Sequence, residues 1–479
     1  MSNSILNSFT NNLILNTDSY KASHWEQYRS GTCGMFSYIE SRGGEYDKTV
    51  FFGLQSILKE YLSQPITREM VEQAKLFFLA HGEPFNEAAW LYIIDSYQGF
   101  LPVTIKAVPE GTVVPTKNVL MTIECTDPKV FWVASYLETL LLRVWYPITV
   151  ATVSWHIKQV IREYLDKTSD DPAGQIAFKL HDFGARGVSS TESSAIGGMA
   201  HLVNFMGSDT VLGVMAANQY YNEPMAAFSI PAAEHSTITS WGREGELSAY
   251  RNMLNLFAKP NALLAVVSDS YDLFGAIDKW GTELRQQIID SGAMLVIRPD
   301  SGDPAEIVLA TAQRLDGYFG STKNGKGYKV LNHVRIIQGD GVCEASIRDI
   351  LTNLERAGFA ADNVAFGMGG ALLQRMDRDT QRFAMKCSAV KLGEQWIEVY
   401  KDPITDPGKT SKRGRLSLYR HKQTGEYRTI KLADQAAWSD KQIETVDSTV
   451  YEEVLVEVWK DGQLLKEWNL AAIRARAAS

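Results

Sequence analysis

The chain has 479 residues, 45% of them hydrophobic and 22% charged, with a formal net charge of −8. That length calls for two domains or one large barrel with additions, and the composition is globular and excludes a disordered chain. The acidic balance argues against nucleic acid or an anionic membrane as partner.

The N-terminus, MSNSILNSFTNN, has neither a basic region nor an apolar one, so no signal peptide is expected. From Thr17 to about Tyr164 the pattern is mixed. "MFSYIES" predicts a strand, and "LPVTIKAVPEGTVVPTKNVLMTIECTD" predicts antiparallel strands punctuated by Pro109, Gly111 and Pro115. Helices are predicted over Thr67 to Ala80 and Lys129 to Val144. The most apolar stretch, Val130 to Val153, is broken by Glu138, Arg143 and Pro147, and its first half reads as a buried or interface helix, not a membrane span.

From about Gln175 short apolar runs recur, each followed by polar or glycine-rich residues and a helix-like pattern: IAFKLH, VNFMG, AAFSIP, LLAVVS, MLVIR, VRIIQ, NVAFG and FAMKC. Eight such runs over about 200 residues suit an α/β fold with an irregular (β/α)8-type barrel, and apolar strands are what a parallel sheet buried on both faces requires. A capping box is expected at Ser189-x-x-Glu192. The tail regains strand character, with a hairpin turning at Asp461-Gly462. The expected division is an N-terminal α+β part (1–165), the barrel (166–395) and a strand-rich part (396–479) packing with the first. Cys33, Cys125, Cys343 and Cys387 are scattered, which suits a reducing, cytoplasmic setting without a disulfide framework or zinc site.

Active sites of such barrels form at the C-terminal strand ends. The ends carry, in order, Asp182, Phe183 and Arg186; Asp209; Glu234, His235 and two hydroxyls; Asp269 and Asp272; Arg298 and Asp300; Gly339 and Asp340; the glycines of "FGMGGALLQ"; and Lys386. Taken singly these are ordinary. A histidine after a strand is usually a loop or core residue, and an aspartate there usually caps the next helix, as Asp269 and Asp300 could. The coincidence at nearly every end is what points to one polar cavity. Gly367, Gly369 and Gly370 would free backbone amides for phosphate, with Arg378 and Lys386 as counter-charges. A second basic cluster, Lys401, Lys409, Lys412, Arg413 and Arg415, suits either a solvated loop or a polyanion clamp.

Long motifs in one order carry a resemblance over most of the chain: "LNTDSYKASH", "VPEGTVVP", "WYPITVAT", "KLHDFGARGVSS", "AHLVNFMGSDT", "IPAAEHSTI", "VVSDSYD", "IRPDSG", "IQGDGV", "NVAFGMGG" and "KDPITDPGKTSKRGRLSL". The chain resembles the nicotinamide phosphoribosyltransferases. The resemblance implies a type II phosphoribosyltransferase-like barrel and a homodimer with shared active sites. It implies transfer of phosphoribose from phosphoribosyl pyrophosphate to nicotinamide, with Mg²⁺ held mainly through pyrophosphate. ATP would act as an activating co-substrate through a phosphorylated histidine. Phe183 would stack on the pyridine ring, with the partner subunit's Tyr20 on the other face. Asp209 would accept from the carboxamide, and Arg298 and Asp300 would hold ribose and ring. Gly339, Asp340, Gly369 and Gly370 would line the ribose-phosphate path, ending at Arg378 and Lys386 for the 5′-phosphate. Arg186, with the partner subunit's Arg42, Lys401 and Lys409, would bind pyrophosphate. His235 would be the phosphorylated histidine, beside Asp269. The alternative is a nicotinate enzyme, which Asp209 disfavours because an ionised carboxylate accepts from an amide and repels a second carboxylate.

Overall fold

The computed structural model describes residues 12–405, 410–432 and 447–479. The chain forms two compact units, Met1–Thr152 with Asp377–Ser479, and Val153–Met376.

The second unit is built on a parallel sheet. Its strands are Leu180–Asp182, Gly207–Ser208, Leu263–Val267, Met294–Arg298, Val334–Gln338 and Val364–Met368. Gly207–Ser208 and Leu263–Val267 lie at opposite edges of the sheet. The run AAFSIP, expected as a strand, forms only single bridges, Gly207 to Phe228 and Ala232 to Ala265. Those bridges matter because they carry backbone hydrogen bonds from one edge to the other. Ser208 N donates to Phe228 O at 3.2 Å, and Ala265 N to Pro231 O at 2.9 Å. Pro231 has no N–H to give a regular ladder, so the link is irregular. The expected α/β barrel is therefore present in curled form. Ala265, Val296 and Ile337, from three neighbouring strands, meet at its centre, with Phe183, Ile230 and Ala365 packed against them.

The eighth run does not join this sheet. FAMKC lies in Phe383–Leu392, which pairs antiparallel with Thr32–Ser41 in the first unit. It is apolar because that seven-stranded sheet is itself covered by a large core around Tyr38, Ile105, Ile123 and Trp459. Periodicity alone cannot tell which sheet buries such a run. The other strands of this unit fall where expected, Val103–Ala107 and Val119–Cys125 among them. The tail strand Val456–Lys460 pairs with Val103–Ala107, as the packing of tail on N-terminal part requires. Its hairpin turns at Asp461 and Gly462, both at positive φ (46° and 87°), the conformation that Asp-Gly supplies in a two-residue turn.

Two helix boundaries differ from expectation. The capping serine is Ser190, which accepts from Ser193 N, not Ser189. The stretch Lys129 to Val144 is split into short helices, Val133–Tyr136 and Glu138–Leu142, and a separate long helix runs Trp145–Thr168. Pro147 is the third residue of that helix, inside the first turn, where its missing N–H leaves no intrahelical bond unmade. Among the described residues no helix is long and apolar enough to cross a membrane.

Candidate active site

The strand ends of the barrel unit assemble around Phe183. Its N–H donates to Met368 O at 3.0 Å, which ties the residue to the neighbouring strand end. The ring lies across Gly367: a Cβ there would stand 1.9 Å from Phe183 Cε2, so no side chain fits. A Cβ on Gly339 would lie 3.4 Å from the same ring atom and 3.5 Å from Asp300 Oδ1. The glycines at these two ends thus make room for an aromatic ring beside a carboxylate.

Several ionisable groups at the strand ends have partners in the same unit. Asp209 Oδ1 accepts from Ser229 Oγ at 2.5 Å. Arg298 Nη2 bonds Asp300 Oδ2 at 3.0 Å, while Arg298 Nε is buried without a partner among the described residues. His235 Nε2 lies 3.1 Å from Asp269 Oδ1, and Ser301 Oγ donates to Asp269 Oδ2 at 2.6 Å. The His235 side chain is 45% exposed and that of Asp269 6%, so the carboxylate is a buried anchor for an accessible imidazole. Glu234 turns to Ser236 Oγ and supports the loop.

The helix caps are not Asp269 and Asp300. The caps before the two helices are Asp272, accepting from Phe274 N, and Asp303, accepting from Ala305 N and Glu306 N. Asp269 and Asp300 are left to face side chains. Arg186 lies on the exposed turn Ala185–Gly187, and a Cβ on Gly187 would lie 3.5 Å from Gly370 Cα. Gly369 precedes the short helix Gly370–Leu373, and Asp340 follows Gly339 after Val334–Gln338.

The remaining candidates lie in the first unit. Lys386 sits in Phe383–Leu392 opposite Tyr38, not at an eighth barrel strand end. Its pKa is lowered, first by burial and then by the positive charges of Arg42, Lys21 and Arg378, with Glu138 opposing. Arg42 Nε bonds Glu40 Oε1 at 3.1 Å, and Arg42 Nη2 is buried without a partner among the described residues. Lys412 also reaches Glu40. Arg378 pairs with its exposed neighbour Asp379 at 2.9 Å. Tyr20 is half exposed and meets His24 edge-on at 4.7 Å between centroids. Lys401 is exposed, its backbone tied to Ser411. Lys409 lies outside the described residues.

Sequence reasoning missed Ser229, Ser301 and Lys21. Lys21 adjoins Tyr20 and is buried against Glu138. The serines gave no signal because a hydroxyl beside a carboxylate is common in loops; Lys21 stood inside a quoted motif, next to a residue already chosen.

Residues 178–452 match the family described as "Nicotinate phosphoribosyltransferase (NAPRTase) family", and residues 12–105 match "Nicotinamide phosphoribosyltransferase, N-terminal domain". The chain is 62% identical over 470 residues to a nicotinamide phosphoribosyltransferase of Xanthomonas campestris pv. campestris (strain 8004), covering 98% of each chain. It is 31% identical over 512 residues to one of Acinetobacter baylyi, again covering 98% of each. Among solved structures it is similar in fold to human nicotinic acid phosphoribosyltransferase, with a TM-score of 0.62 and 17% identity, covering 96% of this chain and 92% of that one. With both matched regions in one chain and near-complete coverage of these relatives, the chain belongs to the nicotinate phosphoribosyltransferase family and, within it, to the nicotinamide phosphoribosyltransferases.

Proposed function

We propose that this chain joins nicotinamide to 5-phosphoribosyl 1-pyrophosphate, giving nicotinamide mononucleotide and pyrophosphate, as a step of NAD biosynthesis. The observation that carries the reading is the Phe183 ring lying over Gly367, on the sheet whose next strand end presents the Ser229-held carboxylate of Asp209. An aromatic face orients a flat heterocycle, and an ionised carboxylate accepts from a carboxamide N–H.

In the reaction the pyridine nitrogen forms a bond to ribose C1 as the C1–oxygen bond to pyrophosphate breaks. Positive charge develops on the sugar and negative charge on the leaving group. Nicotinamide is a weak neutral nucleophile, so positioning is the chief service available from the protein. Phe183, with the partner subunit's Tyr20, would hold the ring, and Asp209 the amide. Arg298 and Asp300 would orient ribose and ring, along a path lined by Gly339, Asp340, Gly369 and Gly370. Arg378 and Lys386 would take the 5′-phosphate. Arg186, with the partner subunit's Arg42, Lys401 and Lys409, would take the pyrophosphate, and cations placed where charge develops lower the barrier. Asp300 and Asp340, which follow adjacent strands, would supply the few carboxylates that Mg²⁺ takes. A magnesium ion would then rest mainly on pyrophosphate oxygens and neutralise the leaving group.

His235 would couple ATP to this chemistry. With Asp269 on Nε2, the other ring nitrogen is the candidate phosphoryl acceptor. A phosphohistidine adds negative charge near the pyrophosphate path and so changes how substrate and product bind. His235→Ala is expected to abolish ATP hydrolysis and acid-labile labelling from γ-labelled ATP, yet to retain slow synthesis at high substrate.

The primary test is product formation from labelled nicotinamide against labelled nicotinate; turnover of nicotinate alone would establish the alternative. The shared site has its own test. Mixing Tyr20→Ala with Asp300→Ala chains should restore activity, because one site per mixed dimer has both native halves. No recovery after verified subunit exchange would place each site within one chain.

A further inference from the structure

We propose that Asp182 is a positioning residue that sets the charge of the ring cleft: its buried carboxylate fixes the turn carrying Phe183 and stands behind Asp209 as a second negative charge that keeps anionic rings out. The inference deepens the nicotinamide reading above and rests on it.

Asp182 ends the strand Leu180–Asp182 and is fully buried, so it acts through its neighbours. Its Oδ1 accepts from Gly184 N at 2.7 Å. An aspartate bonded to the amide two residues on closes a local turn, and Phe183 is the residue in the middle of it. The backbone carbonyl of Asp182 accepts from Asp209 N at 3.0 Å. Phe183 and Asp209, the two groups assigned to the ring and its amide, therefore both hang from this one residue.

Its surroundings are otherwise neutral. Ser208 and Met368 pair with Asp182 on either side. Leu373 packs on Gly184, and buried Thr210 Oγ1 faces the carboxyl. His181, the preceding residue, has its pKa lowered by burial, with Asp209 and the Phe228 backbone opposing. Asp209 is the titratable group whose charge reaches Asp182. Burial first, with Asp209 adding, pushes the Asp182 carboxyl up to about 6, against the opposing bonds from Gly184 N and Thr210. Asp182 Oδ2 has no hydrogen bond of good geometry among the described residues. An asparagine would keep the Gly184 bond and the shape without the charge. Above pH 6 the ionised carboxylate is therefore a cost to the fold that a purely structural residue would avoid.

The test compares wild type with Asp182→Asn in relative kcat/KM for nicotinate and nicotinamide, from about pH 5.5 to about pH 8, together with Tm. At the upper pH the nicotinate-to-nicotinamide ratio should rise about tenfold in the variant, the worth of one moderate charge interaction. The change should sit in KM for nicotinate. The two profiles should converge on acidification, where wild-type Asp182 carries its proton; protonation of nicotinate itself is common to both. Tm at the upper pH should be higher in the variant. An unchanged ratio, or a variant less stable than wild type at the upper pH, overturns the inference. If Asp182→Asn does not fold, the wild-type profile decides: a ratio that climbs as pH falls through about 6 supports it, and a flat one overturns it. Wild-type turnover of nicotinamide separately tests the underlying reading, so the two failures are distinguishable.

Discussion

The barrel strand ends and the cationic group of the other unit differ in how their charges are compensated. Around Phe183 the charged side chains come with partners: Asp209 with Ser229, Arg298 with Asp300, His235 with Asp269 and Ser301. In the other unit Lys386 is depressed by burial and by Arg42, Lys21 and Arg378, and an Arg42 nitrogen is left without a partner among the described residues. Apart from Arg298 Nε, the first arrangement pairs these charges within itself, as a site that orients a neutral molecule would. In the second, cations share carboxylates, Arg42 and Lys412 both on Glu40, so an added anion would be favourable there. On the proposed reaction, the first would be the rigid half that serves a neutral ring, and the second the half short of negative charge that serves a polyphosphate.

The rigid half should break most severely where space is tightest. Gly367→Ala places a methyl 1.9 Å from a Phe183 ring carbon, a distance that only displacement of the ring can relieve. Misplacing a positioning group by an ångström costs about a hundredfold. Steady-state kinetics should show a loss of that order in kcat/KM for nicotinamide, with phosphoribosyl pyrophosphate still protecting against heat. Intact activity would mean that the ring is not where substrate stacks.

Asp209→Asn tests the polar partner. The asparagine can turn an NH₂ toward the ligand, where the carboxylate only accepts. Discrimination against nicotinate should shrink by about 1–3 kcal/mol, the range for a buried bond to a charged group. Unchanged relative kcat/KM for the two rings would remove Asp209 from the amide site.

Lys386→Met addresses the half short of negative charge. The folded protein lowers the lysine pKa, so holding it charged costs stability. That penalty is complete below the folded pKa and fades as pH climbs toward the ordinary lysine value. The variant should therefore melt higher than wild type without ligand near neutral pH. It should also lose roughly tenfold in affinity for phosphoribosyl pyrophosphate, about the worth of one charged hydrogen bond. In wild type the affinity should weaken as pH climbs past the depressed pKa, because binding takes up a proton. A variant that melts lower and binds as before would make Lys386 a structural lysine.

The sequence carried the fold further than it carried the geometry of the site. Apolar runs ending near Asp182, Arg298, Gln338 and Gly367 marked real parallel strands, because a doubly covered sheet needs such runs. FAMKC had the same composition and belonged to another sheet, since burial, not parallel pairing, makes a run apolar. Pro231 reduced the third run to two bridges, which a hydrophobicity count does not register. Candidate residues could be named from motifs, but their division of labour could not. Only coordinates show that Asp272 and Asp303 cap the helices and leave Asp269 and Asp300 to side-chain work. Arg378 and Lys386 read as barrel residues along the chain, whereas the strand after Met376 enters the other unit.

The smallest effect should come from the hydroxyl that steadies Asp269. Ser301 Oγ donates to Asp269 Oδ2 at 2.6 Å, and the opposite oxygen faces His235 Nε2 at 3.1 Å. A carboxylate held at both oxygens has one orientation, and it fixes which imidazole nitrogen is occupied. Ser301→Ala removes one of those two holds and leaves the carboxylate free to rotate. The substitution sits in an exposed turn, so the cost should be about 1 kcal/mol, or roughly fivefold. It should fall on ATP coupling: fivefold slower acid-labile labelling and a matching drop in ATP stimulation, with synthesis in the absence of ATP unchanged. The split is the informative part. If ATP-free synthesis fell by the same factor, Ser301 would be acting on the Arg298–Asp300 pair beside it rather than through Asp269. The partnered character of the strand ends would then be one connected network instead of separate pairs.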